Sequence, residues 1–281
     1  MSLDHKEVFA FVEKMPAFPH SVSRVLELTS RMDSSPKELV KVIEHDPVMT
    51  VKILKLVNSA FYGLPNPIKS INHGVVYAGF NTIKNMSLTI AAIGALPRQS
   101  KVKIDIDDFL LHSLGVATIA KKLADQLGVD PRDASDYFIA GLLHDFGKII
   151  LALFKSEKYQ HALDIAAQAQ KPLFQAEQEI FHLDHSEIGA LLAESWKLPE
   201  TLSDCIRHHH QPEQKNNIMI DCVFAANQVV NFLSIGDAGN RCVTPFPESV
   251  ENRFGRDLQG LINSMGDIES MMEQARAFIT S

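Results

Sequence analysis

Hydrophobic residues recur every three or four positions along nearly the whole chain, and alternating apolar and polar runs long enough for strands are scarce. That period predicts helices. Capping chemistry marks where they begin. Ser35-Pro36-Lys37-Glu38 is a capping box, with Ser35 accepting from first-turn amides, Pro36 at the first helical position and Glu38 reaching back. Asp46-Pro47 opens the next helix, on which Met49, Ile53, Leu56 and Ala60 share one face while Lys52, Lys55 and Ser59 take the other. Gly63, Pro65 and Pro67 end that pattern, and two more helices are predicted over about residues 70–79 and 81–94.

A polar, basic stretch from Pro97 to Lys103 follows, and we place a subdomain boundary there. It divides the chain into an amino-terminal helical subdomain, residues 1–98, and a helical core, residues 99–281. Helices are predicted in the core over about 106–127, from the Asp130-Pro131 cap to about Phe154, and near 157–170, 172–181, 185–196, 199–210 and 217–233. Gly236, Gly239, Pro245 and Pro247 predict a loop over about 235–249, and a final helix is predicted over roughly 257–279. The fold class is therefore all-α. No internal repeat is evident.

With 281 residues, 46% of them apolar, the chain can bury one large core or two modest ones. Its 34 acidic against 27 basic residues give a net charge of −7, which disfavours a nucleic-acid reader because no global positive field recruits phosphates. Charges and glycines interrupt the apolar stretches short of the roughly 20 residues a membrane span needs, and the amino terminus lacks a signal-peptide pattern. A cytoplasmic protein with no membrane partner is expected. Cys205, Cys222 and Cys242 are too few and too scattered for a disulfide framework or a thiolate zinc site.

Seven of the 12 histidines fall between His144 and His210, so function is sought there. His144, Asp145 and Lys148 interrupt an apolar run from Phe138 to Leu151. On a continuous helix, at about 100° per residue, they share one arc with Gly141, whose missing side chain leaves a gap. A buried carboxylate needs a partner, either Lys148 at i, i+3, another side chain or a cation. Polar residues also stand in other apolar stripes: His112 with Val116, Ile119 and Leu123, and Asn227 with Ile220, Val223 and Val230. Asp108 lies one turn before His112. His185 opens a helix whose Ile188, Leu192 and Trp196 face the core, and His209 and His210 close the helix after Pro199. Imidazoles with a carboxylate suit zinc, iron or manganese. The plain alternatives are an Asp145–Lys148 ion pair, core histidines with satisfied bonds, imidazolium at a helix carboxyl end, and Asn227 as a buried amide. His208 is expected to face solvent, and Cys205 to be a core cysteine.

Met15-Pro-Ala-Phe-Pro-His-Ser-Val22 through Val57-Asn-Ser-Ala-Phe-Tyr-Gly-Leu64, then Gly141-Leu-Leu-His144-Asp145-Phe-Gly-Lys148, Asp184-His185-Ser-Glu-Ile-Gly189, Trp196-Lys-Leu-Pro199 and Ile206-Arg-His-His209-His210-Gln-Pro212 resemble the HDOD family. This is a branch of the HD superfamily of metal-dependent phosphohydrolases. The resemblance implies an amino-terminal helical bundle packed on an HD-like helical core. Carried over by position, it implies His112, His144, Asp145 and residue 227 as metal ligands, His185, His209 and His210 as those completing a two-metal site, and Lys148 as able to meet a substrate phosphate. One or two ions of iron, manganese or zinc are expected. Asn227 stands where the family pattern has an aspartate, so divalent affinity is expected to fall, with Asp108 the only evident compensation. No residue is assigned a catalytic role. The expected function is a bacterial regulatory or signalling module with a degenerate metal site, acting through a signalling protein partner or a phosphorylated small-molecule ligand. The alternative is an active metal-dependent phosphohydrolase acting on a nucleotide or cyclic dinucleotide.

Overall fold

The computed structural model describes residues 5–13, 20–29, 35–58, 67–95, 104–270 and 272–273, and contains no strand among them. The motif residues 15–19 and 59–64 and the boundary segment 97–103 lie outside these. Six helices come first: α1 (His5–Val12), α2 (His20–Thr29), α3 (Pro36–Glu44), α4 (Pro47–Val57), α5 (Ile71–Ala78) and α6 (Phe80–Ala95). Ser35 accepts from the Glu38 amide and Glu38 bonds back, so the capping box forms as predicted. Asp46 caps α4 by accepting from Met49 N at 3.0 Å.

The core continues with α7 (Ile106–Gln126), α8 (Pro131–Leu143), α9 (Phe146–Phe154), α10 (Ser156–Ala169), α11 (Leu173–Phe181), α12 (His185–Ser195) and α13 (Glu200–His208). It closes with α14 (Ile218–Phe232), α15 (Glu248–Phe254) and α16 (Leu258–Ser264). Helices α7, α8 and α14 pack together at the centre, and α9 and α12 pack against each other. Buried residues from both halves of the chain belong to one apolar cluster. A polar contact crosses between the halves: Asp136 on α8 accepts from Lys84 Nζ at 3.1 Å and Asn85 Nδ2 at 2.8 Å on α6.

Three expectations are corrected. The helix read as continuous from Pro131 to Phe154 is broken at His144-Asp145, where Asp145 (φ −98, ψ 0) stands as the residue before α9. The last predicted helix is interrupted: α16 ends at Ser264, Gly266 takes a left-handed φ of +72, and helical residues resume at 268–270. The loop after α14 ends early, since α15 starts at Glu248, directly after Pro247. In addition, Asp133–Phe154 is long and apolar enough by composition to cross a membrane, yet 89% of its most apolar window is buried inside the fold.

Candidate metal centre

The doublet is brought to its neighbours by backbone contacts that only glycine permits. A Cβ on Gly147 would lie 1.9 Å from the His185 carbonyl oxygen and 2.8 Å from Gly189 N, so the first turn of α9 rests directly on the first turn of α12. This sets Asp145 against His185. Gly141 serves a similar contact with α7, where its Cβ would meet the Ala117 backbone at 2.7 Å. The space at Gly141 is thus filled by a helix, and the expected gap beside the polar arc does not exist. Asp184 holds the start of α12 with a second capping box, accepting from the Ser186 and Glu187 amides.

Asp145 is fully buried and faces imidazoles from four other helical segments. Its Oδ2 lies 3.5 Å from His112 Nε2, 3.3 Å from His144 Nε2 and 2.6 Å from Lys148 Nζ. Its Oδ1 lies 3.2 Å from His185 Nε2 and 3.7 Å from His209 Nε2. His210 Nε2 is 2.7 Å from His185 Nε2. The opposite ring nitrogens are tied down: His144 Nδ1 donates to Gly141 O and His209 Nδ1 to Ile206 O, each at 2.7 Å. A carbonyl can only accept, so both rings carry their proton at Nδ1 and leave Nε2 as a bare lone pair in the neutral form. The Nε2 atoms of His112, His144 and His209, and Asp145 Oδ1, are buried with no hydrogen-bond partner. Four buried polar atoms left without partners around one carboxylate cost several kcal/mol together, unless a cation satisfies them. Neutral imidazoles with one carboxylate fit a borderline divalent transition ion.

The model of the HDOD domain matches residues 15–212. The chain belongs to the HDOD family. This HDOD chain is 26% identical over 79% of its length to an uncharacterized protein of Treponema pallidum, and spans 43% of that protein. Its fold resembles that of a candidate phosphohydrolase from Shewanella amazonensis SB2B, with 24% identity, 97% of this chain and 98% of the other covered, and a TM-score of 0.76. An HDOD domain protein of unknown function from Geobacter sulfurreducens is alike to the same degree, with 23% identity, 99% of each chain covered and a TM-score of 0.76.

Of the ligand-type residues expected in the HDOD chain, His112, His144, Asp145, His185, His209 and His210 come together, and Lys148 joins them through Asp145. Asn227 lines the cavity that also touches Lys148, His185 and His210, and its Oδ1 accepts from Asn231 Nδ2 at 3.2 Å. Asp108 is exposed at the start of α7 and does not reach the cluster, so the expected compensation fails. His208 turns to Asp204, half-buried.

Glu177 was missed. Fully buried on α11, it accepts at Oε2 from both His185 N (2.9 Å) and His185 Nδ1 (2.6 Å). A carboxylate behind a ligating imidazole fixes its tautomer and raises its basicity. Burial pushes the His185 pKa down, but Glu177 and Asp145 overcome this and bring it up to about 9. Burial lowers the pKa of His112, His209 and His210, the last two also through neighbouring imidazoles. Burial alone would raise Asp145, yet His144 and Lys148 hold it well below the ordinary carboxylate range.

A cavity of about 310 Å³ opens beside the cluster. Lys148, His185 and His210 form its inner side, and α14 contributes Asn227, Gln228 and Asn231. The Phe174 ring stacks on His210, with centroids 4.5 Å apart and 18° between planes.

Proposed function

We propose that this HDOD chain is a signalling module: it holds a divalent transition metal at the His–Asp cluster, binds a phosphorylated small molecule in the adjoining cavity, and passes that occupancy to a protein partner without turnover. The observation that carries the reading is residue 227. A neutral amide bonded to Asn231 stands where a second metal-binding carboxylate is expected, so among the described residues Asp145 is the one acid near the converging Nε2 atoms, and Lys148 already pairs with it. A divalent ion bound here supplies Lewis acidity and a water ligand of lowered pKa, and a single shared carboxylate holds it weakly for that work.

The ligand class follows from the cavity wall. Lys148 offers a positive charge, the carboxamides of Asn227, Gln228 and Asn231 offer N–H donors, and Glu213 is the one acidic residue on the lining. Such a wall favours an anion over a cation. Phe174 and His210 add a flat stacked surface beside the donors. A cytoplasmic setting is consistent with three unpaired cysteines.

The test is to load the protein with Mn²⁺, Fe²⁺ or Zn²⁺ and incubate it with nucleotides, cyclic dinucleotides and a model phosphodiester. Product formation no faster than in a His144→Ala, Asp145→Ala double variant is expected. Metal-dependent hydrolysis that the double variant abolishes would instead establish the working phosphohydrolase, the reading favoured by the convergence of five imidazoles.

A further inference from the structure

Asp145 divides the donors into two groups, one at each carboxylate oxygen, and the two groups are not equivalent. At Oδ1 stand His185 and His209, with His210 against His185. At Oδ2 stand His112 and His144 together with Lys148. We infer that the cluster holds one divalent ion, bound by Asp145 Oδ1, His185, His209 and His210, and that Lys148 takes the place of a second ion on Oδ2. The inference rests on the metal-binding part of the proposed function and specifies where the ion sits and how many there are.

Three observations converge on it. The first is spacing. Donors at about 2.0–2.1 Å from a tetrahedral ion lie roughly 3.3 Å from one another. The Oδ1 group shows separations of 2.7, 3.2 and 3.7 Å, and its four residues offer ligand atoms within 4.8 Å of each other, enough to complete a tetrahedral ion, whereas the Oδ2 group offers three, His112, His144 and Asp145.

The second is occupancy of the other oxygen. Lys148 Nζ is 2.6 Å from Oδ2, nearer than either imidazole there, and its side chain is buried. It is anchored one turn after Asp145 on α9, whose first turn is locked against α12 at Gly147. A second ion would have to share Oδ2 with this ammonium in a buried site, where repulsion between like charges is stronger than in water.

The third is charge. With the imidazoles neutral, as metal ligation requires, Asp145 and Glu177 contribute two negative charges and Lys148 one positive, a balance of −1. One divalent ion brings the buried cluster to +1, whereas two bring it to +3. Glu177 also favours the same side, because it backs His185 of the Oδ1 group, while His144 of the other group is backed only by the Gly141 carbonyl.

The experiment is metal stoichiometry on the full chain. Protein stripped with chelator is titrated with Mn²⁺ and Co²⁺, bound metal is counted by elemental analysis, and the Mn²⁺ form is read by electron paramagnetic resonance. One ion per chain and the six-line signal of an isolated Mn²⁺ are expected. His209→Ala and His185→Ala are expected to weaken binding beyond the roughly 100-fold that loss of an outer partner costs, and His112→Ala to leave it nearly unchanged. Lys148→Met is expected to admit a second ion. An exchange-coupled pair in the wild type, no ion at all, an ion lost in His112→Ala but kept in His209→Ala, or one ion only in folded Lys148→Met would overturn the inference. The resonance signal needs no substitution, so it decides even where a histidine variant fails to fold. Hydrolysis by the one-ion protein would overturn the regulatory reading alone, and two ions without hydrolysis would overturn this inference alone.

Discussion

Replacing Glu177 with alanine removes the single acceptor that serves two buried donors of His185, its backbone N–H at 2.9 Å and its Nδ1–H at 2.6 Å. Each donor left unpaired costs about 1–3 kcal/mol, so a loss of roughly 3–5 kcal/mol is expected. Glu177→Gln keeps an oxygen acceptor but removes the charge, and a smaller loss of about 1–2 kcal/mol is expected. The two variants separate hydrogen bonding from charge. Trp196, the one tryptophan in the chain, follows the end of the helix that His185 begins, so its fluorescence in a urea titration reports the affected element directly. In the Gln variant His185 loses the carboxylate that raises its pKa to about 9, and metal affinity is expected to fall about 10–100-fold. A loss below about 1 kcal/mol in the Ala variant would refute the reasoning, since two unpaired buried donors cannot be that cheap.

Gly147→Ala drives a methyl group into the His185 carbonyl, a backbone atom that cannot swing aside, and a loss above the usual 1–3 kcal/mol of overpacking, or no folded protein, is expected by thermal melting; an unchanged melt would contradict the α9–α12 contact. The metal-free protein is expected to be most stable near pH 6.5. Above it, the contribution of His185, complete below its unfolded value near 6.5, is lost as pH rises through about 9, at roughly 1.4 kcal/mol per pH unit. Below it, His112, His209 and His210 take up protons only when unfolded, so the fall on the acid side is steeper; a curve flat from pH 5 to 9 would rule this out. Arg253→Met leaves the buried Asp221 without its 2.7 Å partner, and a loss of about 2 kcal/mol that shrinks as pH falls is expected from denaturation at several pH values; no pH dependence would refute it. Asn227→Asp adds a carboxylate to the cavity wall beside Lys148, His185 and His210, and tighter divalent binding is expected by calorimetry; unchanged affinity would put residue 227 outside the reach of the ion.

Local chemistry was legible in the sequence wherever a signal acts within a few residues. Ser35 with Glu38, and Asp46 before Pro47, mark helix starts because the cap and the amides it serves are three residues apart. The histidines were legible as polar residues in apolar stripes, and the family motifs ordered them. The break at His144-Asp145 was not, since apolar spacing continues across it and neither residue is a helix breaker; the close approach of Gly147 to α12 creates the joint, a contact 38 residues away along the chain. Glu177 was overlooked for a related reason. It sits in the stripe of Leu173, Ala176 and Phe181, the same signal that singled out His112, but its partner lies on the next helix and an acidic residue reads by default as solvated. The short α15 escaped because its seven residues are mostly polar and follow a proline-rich loop.

The joint at residues 144 and 145 gives the Asp136 contact a longer reach. Asp136 is gripped by Lys84 and Asn85, and eight residues further on α8 delivers His144, a lever arm of about 12 Å at 1.5 Å per residue. Pivoting that arm by about 5° sweeps the imidazole through about 1 Å, the scale at which a misplaced group can lose about a hundredfold in function. With Gly141 seated on the α7 backbone near the far end, the arm is held at both ends, and the place of the imidazole is set by the amino-terminal helices and α7 together.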